Sequence, residues 1–194
     1  IVKPEIAIIT NISGAHFKNF NTLKDIAKAK AEIINNISKD GNIILNKDSK
    51  FFGLLSNKAK KNGINITSFS LKKKSDIFLL GIKKIKKFFR LKINIRNKIF
   101  FFYTKYTTDN FINNILACIS TMFVLNLNLN KMKKIFISFK IPEGRGDVKI
   151  IKKFNKKFKF IDESYNANPL SMMSAIKNMS YYNGKKHHRS HRFQ

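Results

Sequence analysis

An α/β fold, in which a parallel sheet passes into an antiparallel hairpin region, is what this sequence predicts, and three observations carry the prediction. Short Ile-rich runs alternate with segments of helical periodicity as far as Phe69. The pattern then changes to three closely spaced runs of apolar and basic residues. Finally, the cluster Pro142-Glu143-Gly144-Arg145-Gly146 sets apart a last segment that again reads strand, strand, helix.

Each element follows from its residues. Glu5 to Thr10 (EIAIIT) is a short apolar run closed by the polar turn NISGAH, and predicts a buried strand. Asn21 or Thr22 can cap the next helix, expected over Leu23 to Ile37, where Ile26, Ala27, Ala29, Ile33, Ile34 and Ile37 recur at helical spacing. Asp40-Gly41 stops it. Asn42 to Leu45 predicts a second strand, Phe51 to Lys61 a helix ended by Asn62-Gly63, and Ile64 to Phe69 a third strand. Strand, helix, strand, helix, strand is the order that builds a parallel sheet, whose ligand sites lie at the carboxyl ends of the strands. The runs Ile77 to Ile82, Phe88 to Ile95 and Ile99 to Tyr103 read as antiparallel hairpins, with Lys alternating on a solvated face. Asp109 to Leu125 and Lys131 to Phe139 are expected as helices. The Gly-rich stretch at Pro142 reads as a hinge and domain boundary. Val148 to Ile151 and Lys159 to Ile161 pair as strands beyond it, and Leu170 to Met179 forms a helix after Pro169.

Composition bounds the function. The 194 residues carry 39 Lys and Arg against 11 Asp and Glu, a net charge of +28, which by itself points to nucleic acid or an anionic surface. Only five of these cations are Arg (Arg90, Arg96, Arg145, Arg189 and Arg192), whereas planar, bidentate recognition of bases and phosphates favours Arg. The Lys excess accompanies abundant Ile, Asn and Phe, all with AT-rich codons, so mutational bias suffices to explain it. The single cysteine, Cys118, excludes an internal disulfide and fits a reducing compartment; its setting in ILACISTMFVL predicts a core residue. No long apolar span or signal sequence is present, so a cytoplasmic protein without membrane insertion is expected. The opening IVKPEIAIIT starts inside an apolar run without Met, and we expect the chain to be a piece of a longer one.

Three polar clusters follow strand ends: Thr10 to His16, Asn46 to Asp48, and Asp162 to Asn168. Each is either a solvated turn or part of a crevice for a nucleotide or metal. His16 is a candidate imidazole ligand or a surface histidine. Lys30 is a solvated charge or, near a metal, an amine that reacts with carbon dioxide to give a carbamate, a cation turned into an anionic oxygen ligand. Asn110 and Asn113, three apart, present amides on one helix face as adenine-edge readers or as caps. Arg145, between glycines, is a bidentate phosphate donor or a hinge residue. Asp162 ends an apolar strand, where it accepts from ribose hydroxyls or shapes a turn with Tyr165, Asn166 and Asn168.

Taken in order, TNISGAHFKNF, DIAKAKAEI, ILNKD, DNFINNILA, PEGRGDV and IDESYNANPLSMMSAI resemble the Mur ligases, from Thr10 to Ile176. The last segment is similar to the branch of that family that joins D-alanyl-D-alanine to UDP-N-acetylmuramoyl tripeptide. The resemblance implies the second half of a P-loop-type ATPase central domain with a parallel sheet over residues 1–141, then the start of a Rossmann-like C-terminal domain over 142–194. By resemblance, His16 binds magnesium and Lys30 is the carbamylated lysine. Asn110 and Asn113 lie near adenine, Arg145 meets phosphate and Asp162 binds ribose. Asn46 and Asp48 form the family's strand-end N-x-D motif and are expected to bind the cofactor, and Tyr165, Asn166 and Asn168 face the nucleotide and the dipeptide.

The implied chemistry is cytoplasmic peptidoglycan synthesis. ATP phosphorylates a substrate carboxylate, the dipeptide amine attacks the acyl phosphate, and phosphate leaves, with Mg2+ and Arg145 neutralising charge. The implied partners are the UDP-linked tripeptide and D-alanyl-D-alanine, with no nucleic acid, and the enzyme is expected to be a monomer. A Gly-rich phosphate loop is expected upstream of Ile1. Glu163 stands where the family usually has a second Asp, and Asp109 where His is common. At the end, HHRSHRFQ (187–194) replaces an expected apolar strand, and a reading-frame slip in the preceding A-rich run is the expected cause. A small basic nucleic-acid-binding protein, a ligase of the same family with another amino-acid specificity, and a decayed gene are the alternatives.

Overall fold

The computed structural model describes residues 3–13, 20–153, 155–165, 169–180, 184–185 and 187. The chain divides into two compact units, Ile1–Phe139 and Lys140–Gln194.

The first unit is built on a six-stranded sheet with its strands in chain order. These are β1 (Ile6–Ile9), β2 (Asn42–Asn46), β3 (Asn65–Ser70), β4 (Ile77–Ile85), β5 (Phe88–Ile95) and β6 (Lys98–Thr104). From β1 to β4 the pairing is parallel, and from β4 to β6 antiparallel. β4 joins β3 only through Phe69↔Ile77 and Ser70↔Phe78, so the hairpin strands run on past the end of the parallel portion. The turn from β5 to β6 is Arg96-Asn97, both at positive φ (42° and 69°), the twist that a two-residue hairpin connection demands.

Strand alternation splits the core in two. Ala7, Ile9, Ile43 and Leu45 face α1 (Leu23–Ala31) and α2 (Phe52–Lys61), whose Ile26, Ala27, Leu55 and Ala59 complete one cluster. Ile44 and Phe69 face the other way and join Ile77, Leu91, Ile93 and Phe102 of the hairpin strands against α3 (Asp109–Val124). The β2 run IIL is therefore buried on both faces, which is why it reads as continuous rather than alternating.

Several local expectations change. The capping box at the start of α1 is made by Thr22 and Asp25, with Asp25 N donating to Thr22 Oγ1 at 3.2 Å and Thr22 N donating to Asp25 Oδ2 at 3.0 Å. The helix then tightens to a 3-10 segment, Glu32–Asn36, where β-branched Ile33 and Ile34 and two Asn are poor helix formers. Lys131 to Phe139 is not a helix: it is a turn followed by the short 3-10 segment Ile135–Ile137. Tertiary contacts decide this, because Tyr103 N donates to Lys133 O at 2.9 Å along the β6 edge while Phe136 packs on Phe102. Cys118 is exposed rather than core, since α3 buries Ile112, Ile115, Leu116 and Ile119 on the other face. Partial desolvation nevertheless pushes its thiol pKa above the ordinary value.

Gly41 shows how tightly β2 is entered. A Cβ there would meet Ile37 Cγ2 at 2.5 Å and the carbonyl oxygens of Glu5 and Ser38 at 2.8 Å each. Since two of these three contacts are backbone, Gly41→Ala should cost about 1–3 kcal/mol, read as a lower urea midpoint at unchanged slope.

The second unit contains β7 (Asp147–Lys153) and β8 (Lys156–Asp162), an antiparallel pair longer than the sequence runs suggested, and α4 (Pro169–Ser180). Pro142 to Gly146 is not a free hinge. Gly144 N donates to Asp147 Oδ1 at 2.9 Å, Arg145 N to Pro142 O at 3.2 Å and Gly146 N to Asp162 O at 2.6 Å. No helix among the described residues is long and apolar enough to cross a membrane.

Candidate functional site

In the first unit Lys30, Asn46 and Asp48 lie at the carboxyl ends of β1 and β2. Backbone pairing of these strands ends at Ile9↔Leu45, and beyond it a side chain takes over: Asn46 Nδ2 donates to Thr10 O at 3.2 Å. Asn46 Oδ1 in turn accepts from Asp48 N at 2.9 Å, an Asx turn that fixes the orientation of the amide. Asp48 reaches across to the segment after β3, accepting from Ser70 Oγ at 2.8 Å, Leu71 N at 2.6 Å and Lys72 N at 3.3 Å. Both residues of the N-x-D motif are half-buried, and their polar atoms hold strand ends together.

Lys30 projects from the last turn of α1 toward the same edge. Its Nζ donates to Asn11 O at 3.0 Å, and the side chain is exposed rather than desolvated. Asn11 is one residue beyond the Thr10 that Asn46 holds. His16 lies outside the described residues. Among the described residues no three His, Cys, Asp or Glu side chains converge as a metal cluster. A hard cation here would rely on oxygen donors, which suits a carbamate on Lys30.

On α3 the two asparagines part company. Asn110 is exposed and does not cap the helix, whose N-cap is Thr108 with no side-chain hydrogen bond. Asn113 is half-buried, and its Oδ1 is a buried atom without a hydrogen-bond partner. A buried orphan acceptor is costly, and an exocyclic amine such as that of adenine is a fitting donor. None of these residues lines the polar depression of about 570 Å³ beside Lys47, Lys74 and Arg96.

In the second unit the PEGRGD turn is stitched to the loop after β8. Tyr165 N donates to Gly144 O at 2.9 Å, and the Arg145 guanidinium carbon lies 3.9 Å from the Tyr165 ring centroid. Gly144 is required, because at φ 73° a Cβ would lie 2.9 Å from Tyr165 N. Hydrogen bonds from Ser164, including Ser164 N at 3.0 Å, hold the Asp162 carboxyl below its ordinary pKa. Desolvation, then the nearby Asp162 and Asp147 charges, push Glu163 up. Lys149, paired with Glu143 at 3.2 Å and Asp147 at 3.5 Å, keeps its proton more firmly than a free lysine. Asn166 and Asn168 lie outside the described residues, as does the 187–194 tail apart from His187.

The family profile described as Mur ligase middle domain matches residues 1–122. The chain belongs to the Mur ligase family. This Mur ligase chain is 35% identical over 188 residues to the UDP-N-acetylmuramoyl-tripeptide--D-alanyl-D-alanine ligase of Buchnera aphidicola subsp. Baizongia pistaciae, covering 96% of this chain and 39% of that protein. It is 32% identical over 177 residues to the ligase of the same name from Rickettsia prowazekii, covering 91% and 38%. The chain therefore spans about two-fifths of the length of the curated relatives it matches. Among solved structures, MurF from Acinetobacter baumannii superposes with a TM-score of 0.80 at 26% identity over 94% of this chain and 38% of that one. MurF from Thermotoga maritima in complex with ADP has the same fold, with a TM-score of 0.76 at 22% identity over 94% of this chain and 40% of that one. The mixed sheet of this Mur ligase is thus the family's fold, as its sequence predicted.

What the sequence missed are the partners made of backbone: the carbonyls of Thr10 and Asn11, and the amides of Leu71 and Lys72. Every residue has a carbonyl, so no residue type marks them. The Arg145–Tyr165 stack is hidden for another reason, since the two residues belong to different sequence motifs.

Proposed function

We propose that this chain supplies the middle of an ATP-dependent ligase that joins D-alanyl-D-alanine to UDP-N-acetylmuramoyl tripeptide through an acyl phosphate in cytoplasmic peptidoglycan synthesis. The observation that carries the reading is the match of nearly the whole chain to ligases named for that reaction, over the span that holds all six motifs. Residues 1–141 act as the C-terminal part of the ATP-binding domain, and 142–194 open the domain that follows.

The residues present suit the task. Asn113, with its orphan amide oxygen, receives the adenine amine, and the exposed Asn110, one turn earlier on α3, lies near the adenine. Lys30 as its carbamate, with His16, holds Mg2+, which neutralises phosphate charge when bound. Arg145, its guanidinium face resting on Tyr165, offers a planar fork to phosphate oxygens. Asp162, held ionised by Ser164, accepts from ribose hydroxyls, and Tyr165, Asn166 and Asn168 border the nucleotide and the dipeptide. Asn46 and Asp48 serve the Lys30 edge of the first unit through the strand ends they hold.

The test is phosphate release by the ligase in which this chain is joined to the remaining segments its relatives carry. Release that requires both the UDP-linked tripeptide and D-alanyl-D-alanine is the expected result. ATP-independent retention on DNA that falls steeply with salt, with no phosphate release, would instead favour the basic nucleic-acid binder that the net charge of +28 suggests.

A further inference from the structure

We propose that Asn46 is a positioning residue for Lys30, acting through the Thr10–Asn11 backbone; the proposal rests on the reading of Lys30 given above. Four observed links make the path. The Asp48 carboxylate is held by Ser70 Oγ and Leu71 N, so Asp48 N has a fixed place. That amide donates to Asn46 Oδ1 at 2.9 Å, which leaves Nδ2 as the end of the amide that faces β1. Asn46 Nδ2 then holds Thr10 O at 3.2 Å, just where ladder pairing between β1 and β2 has stopped. Asn11, the next residue, presents its carbonyl to Lys30 Nζ at 3.0 Å.

The last link matters because Lys30 is exposed and has a long flexible stem. An acceptor in a fixed place selects one direction for Nζ. Carbamylation keeps that contact. The neutral amine donates its lone pair to the carbon of carbon dioxide, a C–O π pair moves onto oxygen, and one proton leaves to solvent base. One N–H remains on Nζ. It can still donate to Asn11 O, so the new carboxylate is aimed away from that carbonyl. The N-x-D motif then acts on the metal side of the site through Lys30: Asp48 sets Asn46, Asn46 sets Asn11, and Asn11 sets Lys30.

Two variants isolate the link. Asn46→Asp keeps the acceptor for Asp48 N and removes the donor to Thr10 O. Asn46→Ser also keeps an acceptor, is too short to reach Thr10 O, and adds no charge. In the complete ligase, each should raise the bicarbonate concentration for half-maximal activity by about tenfold. Each should also weaken the carbamate carbon resonance in protein equilibrated with 13C-bicarbonate, a readout independent of turnover, while the circular dichroism spectrum and melting point stay near those of the parent. If one variant does not fold, the other decides. A parent enzyme with a carbamate resonance and variants with an undiminished one overturn the positioning role of Asn46 alone. A parent with no such resonance overturns the reading of Lys30 and this proposal with it.

Discussion

Lys30→Ala is expected to lower kcat of the complete ligase by about 10²–10³-fold, the size of effect seen when one preorganised electrostatic group is removed from a charged transition state. The substitution removes the amine at the edge where Thr10, Asn11 and Asn46 converge, and with it a group that carbon dioxide can turn into an anionic oxygen donor. Because α1 is capped at its other end by Thr22 and Asp25, and Lys30 is exposed, the fold should be indifferent to the change. The parent should be stimulated by bicarbonate and the variant should not. An alanine variant that keeps normal turnover, or one that still responds to bicarbonate, would remove Lys30 from the chemistry.

Phe102→Ala is expected to cost about 3–5 kcal/mol, a large fraction of the stability of an ordinary domain. Phe102 is fully buried on β6, opposite Leu91, in the cluster that joins the hairpin strands to α3. Its ring centroid is 6.0 Å from that of Phe136, so its loss also frees the 3-10 segment that lies along β6. The neighbouring Phe101 is the control. It points to the opposite face, where it is half-buried under the Arg90 guanidinium at 4.9 Å. Phe101→Ala should cost about 1 kcal/mol. Equal shifts of the urea midpoint for the two alanine variants would contradict the one-sided burial of β6.

How much was legible follows from particular residues. The strands and helices from Ile6 to Ser70 could be read because their residues obey one local rule at a time: Ile-rich runs between turns, then helical spacing between a capping Thr and a Gly. Lys131 to Phe139 was misread because its spacing is helical while its partners are not local; a β6 amide and the Phe102 ring hold it in another form. Cys118 was misread because an apolar stretch hides which face of α3 it lies on, and only the packing of Leu116 and Ile119 reveals that. Among the site residues, Lys30, Asn113 and Arg145 were visible as residue types in ordered motifs. The duties of Asn46 and Asp48 were not, since their partners are carbonyls and amides that every residue possesses.

By itself, then, the sequence determined the α/β class, the order of elements and the family, because apolar periodicity and ordered polar motifs are properties of single residues and their spacing. Only the tertiary structure decided that β4 continues beyond β3, that Pro142 to Gly146 is a stitched turn, and that Asn46 holds Thr10 beside the carbonyl that holds Lys30. Those facts depend on hydrogen bonds between atoms far apart in the chain, and such bonds leave no mark in local composition.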